Sequence, residues 1–238
     1  MDTVISLNQV KVKLMGNCLE VDGKQHPSTV RIIGQMKDVL LTPDSTYSEP
    51  LYYMYRGVSS REDLRYDVTL ILPRMLKDEY AKTFGHYHPQ SPDGLEYPEV
   101  YQVISGEARF ILQKKNNDES ADVIVVTAIK GDCVVFPSGY GHVSVNASAT
   151  EPLLLANIVY EKFESDYSEY KKLHGAAIYY TKDGPVQNTN YIVKKIEHLT
   201  AKELNKRYGF MCQDLLVEFL KNPKKFEFLK IPKMMFTE

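Results

Sequence analysis

The sequence predicts an all-β domain, a sandwich or barrel, with its helices confined to the flanks. Three observations carry this. Short β-branched and aromatic runs recur between about Val30 and Val159, Gly, Pro, Asn and Asp punctuate them, and helical periodicity is strong only after His198. The clearest runs are Tyr66 to Leu72, Val100 to Ile104, Ala108 to Gln113, Val123 to Ile129, Asp132 to Phe136 and Leu153 to Tyr160. Ser105-Gly106-Glu107 reads as a hairpin turn, and Lys114 to Ala121, with Asn116-Asn117-Asp118, as a polar loop. Many short strands at such spacing pack as a sandwich or close into a barrel.

At the flanks, a weak helical signal lies near Ser59 to Asp63. A strong one starts at Thr200-Ala201-Lys202-Glu203, which has the Thr-x-x-Glu spacing of a capping box, and Gly209 falls where that helix should stop. A second helix is expected from Met211 to Lys221, with Leu215, Leu216, Phe219 and Leu220 on one face and Asn222-Pro223 ending it. The chain therefore divides at sequence level into a β domain over residues 1–194 and a helical extension over 195–238. No internal repeat is evident, and Lys182 to Asn190 comes nearest to a linker.

With 238 residues, 43% of them hydrophobic, the chain can bury a sizeable core unaided. Its 29 Lys and Arg nearly balance 31 Asp and Glu and form no long block, so neither nucleic acid nor an anionic membrane is an expected partner. Cys18, Cys133 and Cys212 are odd in number and far apart, which argues against a disulfide framework or thiolate zinc site and for a reducing compartment. Charges interrupt the N-terminal apolar residues, and no run is long enough to span a bilayer. A soluble cytoplasmic protein is the expectation.

Chemistry concentrates in His86-Tyr87-His88. Alternation along an extended segment sends both imidazoles to one face. Glu99 opens the next apolar strand, and an antiparallel return from His88 would bring its carboxylate beside both rings. His142 follows the turn Pro137-Ser138-Gly139. Three imidazoles and a carboxylate suit one divalent ion such as iron, manganese, nickel or zinc and leave positions open for substrate or water. Glu96 competes with Glu99 for the carboxylate role, because Pro89 to Pro98 forms a long insert between the second His and the strand. Glu99 is preferred for its place before Val100-Tyr101. His26, His174 and His198 sit in polar, unpatterned surroundings and read as surface residues, and most of the 17 tyrosines read as core and interface material.

Glu99, six residues, then Gly106, and Gly131, five residues, Pro137-Ser138-Gly139, then His142, three residues, Asn146, match the two signature stretches of the cupin superfamily. Within it, Thr83-Phe84-Gly85-His86-Tyr87-His88, Glu99-Val100-Tyr101, Gly106 and Leu112-Gln113 resemble the cupin-type phosphoglucose isomerases, over about Val10 to Tyr191. The resemblance implies a double-stranded β-helix, or jelly-roll barrel, with flanking N-terminal strands and a C-terminal helical extension. It implies metal ligands at His86, His88, Glu99 and His142, phosphate contacts at Thr69, Thr83 and Gly85 joined by Tyr53, and further substrate contacts at Tyr160 and Tyr167. Where relatives have His-Asp-Tyr, this chain has Ser165-Asp166-Tyr167, which removes any proton role for that His.

The implied reaction interconverts glucose 6-phosphate and fructose 6-phosphate. A divalent ion would stabilise the developing oxyanion, and Glu99, as catalytic residue, would carry a proton through a cis-enediol, worth typically ~10²–10⁴-fold. A hydride shift would need no base. The alternatives are another cupin metalloenzyme, such as a three-His one-Glu dioxygenase or a different sugar isomerase, and a non-enzymatic sugar-binding cupin. The paired threonines and Gly85 favour the first reading, since an oxygenase has no use for a phosphate cradle. A homodimer is expected, because pairing would cover exposed strand edges.

Overall fold

Two β-sheets built from the predicted runs enclose a common core, as seen in a computed structural model that describes residues 2–7, 10–43 and 47–236. The larger sheet orders its strands Cys133–Phe136, Glu99–Ser105, Leu153–Tyr160, Leu64–Ile71, Pro50–Arg61 and Thr29–Ile32. The smaller orders Gly141–Asn146, Glu107–Lys115, Ala121–Ile129 and Val193–Thr200. All neighbours are antiparallel except Val193–Thr200, which runs parallel to Ala121–Ile129. The architecture is the jelly roll of the cupins. Its two sheets share a core but no continuous ladder, so it is open where a barrel would be closed.

Alternation along the larger sheet divides the interior in two. Tyr101, Val103, Val134, Phe136, Leu153 and Leu155 point inward, meeting Phe110, Leu112, Val143 and Val145 of the smaller sheet. Val100, Cys133, Val135, Leu154, Ala156 and Ile158 point to the other face. There the C-terminal extension covers them with Phe210, Leu215, Leu216, Phe219, Phe226 and Leu229, while Val12, Leu14 and Leu19 add an N-terminal contribution. Packing against the sheet is thus the work of the extension. Gln102 ties it down by accepting from Leu215 N (3.1 Å) and donating to Gln213 O (3.1 Å).

Four expectations change. Ser59 to Asp63 is not helical: Ser59, Ser60 and Arg61 finish a strand, and Glu62 and Asp63 turn the hairpin with φ of 53° and 65°, the left-handed pair that a two-residue turn between twisted strands requires. The boundary at 194/195 falls inside strand Val193–Thr200, whose ladder with Ala121–Ile129 makes it part of the β domain. Lys182 to Asn190 is no linker, since Gly184–Gln187 pairs with Ile178–Thr181 and Asn188 is buried, donating to the Leu173 and Ala176 carbonyls. The second helix begins at Leu215 rather than Met211, where Asp214 caps it by accepting from Val217 N (3.0 Å). The Thr200 capping box forms as expected, with Thr200 Oγ1 accepting from Glu203 N and Glu203 Oε2 accepting from Thr200 N.

Phe219 has no exposed surface and anchors the extension to the sheet. Phe219→Ala should cost about 3–5 kcal/mol in urea unfolding, whereas exposed Lys224→Ala should stay within about 0.5 kcal/mol of the parent. Equal small effects would mean the extension is not packed as described.

Candidate metal centre

Two backbone devices assemble the site. His86 and His142 form an antiparallel bridge, with His142 N donating to His86 O (3.0 Å) and His86 N to His142 O (3.3 Å), which places their rings 4.4 Å apart. The Pro89 to Pro98 insert is a closed loop: Ser91 N donates to Leu95 O (2.8 Å), Tyr97 N donates to Pro89 O (3.2 Å), and Gln90 pairs with Glu96. It returns the chain so that Glu99 lies beside His88. Glu96 stays in the loop, accepting from the Gln90 side chain, away from the cluster. Glu99 is therefore the carboxylate that joins the imidazoles.

One nitrogen or oxygen atom from each of His86, His88, Glu99 and His142 lies within 4.8 Å of the others, so these four residues could hold a metal ion. His142 Nε2 is 3.3 Å and His88 Nε2 3.5 Å from Glu99 Oε2, and the Nε2 atoms of His86 and His88 are 3.1 Å apart. Neighbouring groups fix the orientation: His88 Nδ1 faces the Tyr97 carbonyl at 2.8 Å, and Asn157 donates to Glu99 Oε1 at 2.6 Å. Glu99 Oε2 and His142 Nε2 are buried with no hydrogen-bond partner. Buried polar atoms are costly when unpaired, and both are directed at the centre of the cluster, which is what a divalent ion would satisfy.

The electrostatics fit as well. Burial, then the neighbouring imidazoles, holds His86 well below its usual range. Burial likewise takes His88 down to about 4, against a partial opposing pull from Glu99. Burial pushes Glu99 upward, but the contacts with His142, His88 and Asn157 outweigh it and keep the carboxyl below its ordinary value. Neutral imidazoles and an ionised carboxylate are the ligand forms.

The cluster opens into a cavity of about 480 Å³ whose wall includes Thr69, Thr83, Gly85, Tyr160 and Tyr167. Tyr167 lies 5.4 Å from the His86 ring, held there because Asp166 pairs with the Tyr87 backbone. Thr83 Oγ1 accepts from Ser144 N (2.9 Å), which fixes the oxygen and leaves the hydroxyl proton for a ligand acceptor such as a phosphate oxygen. Gly85 has φ +86°, and a Cβ there would come within 2.5 Å of the Tyr170 ring and 2.6 Å of Val143, which makes glycine a packing necessity besides any close approach to a ligand.

Tyr53 is corrected. It faces the second core, while its neighbours Tyr52 and Met54 face the cavity, because Met54 pairs with Thr69 and paired residues share a face. Sequence reasoning also missed Arg56, Arg65, Asp67, Asn157 and Phe163 in the cavity wall. Counting by twos from Thr69 would have placed Asp67 and Arg65. His26, His174 and His198 lie outside the cluster, as expected.

Two outcomes follow. His142→Ala and His88→Ala should each lower bound metal at least tenfold by elemental analysis while circular dichroism stays unchanged; full occupancy would remove them from the ligand set. In the metal-free protein, His88 titrates near 4 folded against 6.5 unfolded, so the unfolded chain binds more protons between those values. Its stability should therefore fall as pH drops from about 6.5 toward 4, and metal loading should flatten that dependence. A flat profile without metal would contradict the buried neutral imidazoles.

Among curated proteins nothing matches the chain. Solved structures similar to part of it include an oxalate decarboxylase of Bacillus subtilis (20% identity over 48% of this chain and 26% of that one, TM-score 0.34). Others are a vicilin from Corylus avellana (15%, 48% and 31%, TM-score 0.33) and a recombinant oxalate oxidase in complex with glycolate (16%, 50% and 56%, TM-score 0.37). The chain spans about a quarter to a little over half the length of these proteins. The model of the family described as glucose-6-phosphate isomerase (GPI) matches residues 41–197, more than half of the chain, with all four clustered ligands inside the matched span. The chain belongs to the glucose-6-phosphate isomerase (GPI) family.

Proposed function

We propose that this protein interconverts glucose 6-phosphate and fructose 6-phosphate with one divalent ion, iron foremost, held by His86, His88, Glu99 and His142. The observation that carries the reading is the buried four-ligand cluster at the end of a cavity of about 480 Å³, in a chain of the GPI family. The ion would supply Lewis-acid stabilisation of negative charge on the sugar oxygens.

The protein supplies the rest. Asn157 occupies Glu99 Oε1 and leaves Oε2 without a hydrogen-bond partner, on a residue that lines the cavity. That oxygen takes the proton from C2 of the open-chain aldose and returns it to C1, while the hydroxyl proton of O2 passes to O1, so that the cis-enediol forms and collapses to the ketose with no net proton consumed. Thr69, the Thr83 proton and the Gly85 backbone receive the phosphate, and Tyr160 and Tyr167 bound the sugar chain. Phe163 stacks on Tyr97 (5.0 Å) and packs against His88 (4.6 Å), shielding that side of the cluster from water. The protein works as a cytoplasmic homodimer on this reading, with a small sugar phosphate as its partner and neither nucleic acid nor membrane.

Metal-stripped protein re-supplied with iron, manganese, nickel or zinc in turn should regain turnover of fructose 6-phosphate without taking up oxygen. Oxygen consumption, or an intact metal centre with no turnover, would overturn the isomerase reading. Glu99→Gln, loaded to full occupancy, should lose about 10²-fold or more in kcat. A rate near that of the parent would exclude Glu99 as the proton carrier and favour a hydride shift.

A further inference from the structure

The cavity holds a charged device that the metal cluster does not use. Strand Pro50–Arg61 carries a bulge: Tyr55 pairs with Val68 and Ser59 with Tyr66, so Arg56, Gly57 and Val58 stand opposite Asp67 alone. Bulges re-aim side chains beside functional sites. Here Gly57, at φ +69°, turns its N–H onto Asp67 Oδ1 (2.7 Å). Asp67 is buried, and Arg65 Nε donates to both of its oxygens (2.8 and 2.9 Å). Arg56 Nη1 approaches the same carboxylate at 4.0 Å, and its Nη2 touches the Met54 sulfur at 3.8 Å. The Arg56 side chain is half exposed, and its backbone carbonyl accepts from His26 Nε2 at 2.8 Å, which holds the start of the bulge.

Two guanidinium groups against one buried carboxylate leave one positive charge on this wall. Arg65 and Asp67 share their face with Thr69, and Arg56 shares its face with Met54, the cross-strand partner of Thr69. The other acidic groups of the cavity are Glu99, which belongs to the metal cluster, and Glu164, which is exposed at the rim. Asp67 is spent on Arg65 through its Nε alone, and this fixes the arginine pair without neutralising it. Guanidinium forks match phosphate oxygens and carry charge-assisted hydrogen bonds, stronger than those a threonine hydroxyl makes.

We propose that Arg56, aimed by the Gly57 bulge and the Asp67–Arg65 pair, selects the dianionic phosphate of the substrate over unphosphorylated sugar, with Thr69 beside it. The proposal rests on the sugar-phosphate reading above and adds its determinant of specificity. Asp67 and Arg65 are positioning residues in this arrangement.

The test uses metal-loaded protein and isothermal titration with fructose 6-phosphate, inorganic phosphate and fructose. Arg56→Ala should weaken fructose 6-phosphate and phosphate at least tenfold, leave fructose within twofold, and leave metal content unchanged. Arg56→Lys should recover a large part of the loss, because it restores the charge but not the fork. Phosphate affinities within twofold of the parent in Arg56→Ala, or equal losses for fructose and fructose 6-phosphate, would overturn the proposal. Arg56 is half exposed, so its removal does not endanger folding, and the Arg56→Lys variant controls for local collapse of the bulge. Arg56-dependent phosphate binding in a parent that fails to turn over fructose 6-phosphate would refute the isomerase reading and leave the anion-selecting wall standing.

Discussion

Burying three imidazoles and a carboxylate with their ligand atoms within 4.8 Å of one another is the constraint on which the rest of this structure depends. Such a cluster is costly to desolvate, and neither Glu99 Oε2 nor His142 Nε2 recovers that cost from a hydrogen bond. The surrounding fold must therefore hold the groups in place rigidly. It does so with backbone: the His86–His142 bridge, the closed loop of Pro89 to Pro98, and the ladder that sets Glu99 against Phe136. An ion would convert the uncompensated contacts into bonds, so metal affinity and the stability of this region are linked.

The two faces of the larger sheet divide the remaining labour. Inward residues of Glu99–Ser105 and Leu153–Tyr160 end at the cavity with Glu99, Tyr101, Asn157 and Val159. Outward residues of the same strands bury against the C-terminal extension. The extension thus stiffens the strands that carry Glu99 and its Asn157 partner without entering the cavity. Its clamps land on this sheet: Gln102 on Gln213 and Leu215, and Asn205 on the backbone of Cys133 and Val135.

Much of this was legible in the sequence. Strand runs bounded by turn residues pointed to a sandwich or barrel, because alternation and turn chemistry are local signals, and the resemblance to the cupins narrowed this to a jelly roll. The metal cluster was legible through His86 and His88 at strand spacing, and the choice of Glu99 over Glu96 followed from its place at the start of a strand. What failed was non-local. Tyr53 was assigned to the cavity, but facing is set by register with Leu64–Ile71, which a single strand does not reveal. The Gly57 bulge changes the phase of that strand midway, so Val58, which joins Tyr53 and Tyr55 in the second core, cannot be placed by counting along it. Residues 195–200 were assigned to the helical extension because exposed, charged residues conceal the strand Val193–Thr200, which pairs with a partner some seventy residues earlier.

The central claim is that His86, His88, Glu99 and His142 hold one ion. Anomalous diffraction from crystals of the metal-loaded protein, collected across the absorption edge of the bound metal, tests it most directly. The account predicts a single anomalous peak about 2.0–2.3 Å from the Nε2 atoms of His86, His88 and His142 and from Glu99 Oε2. A peak coordinated by Glu96, or one placed outside the four-residue cluster, would contradict it.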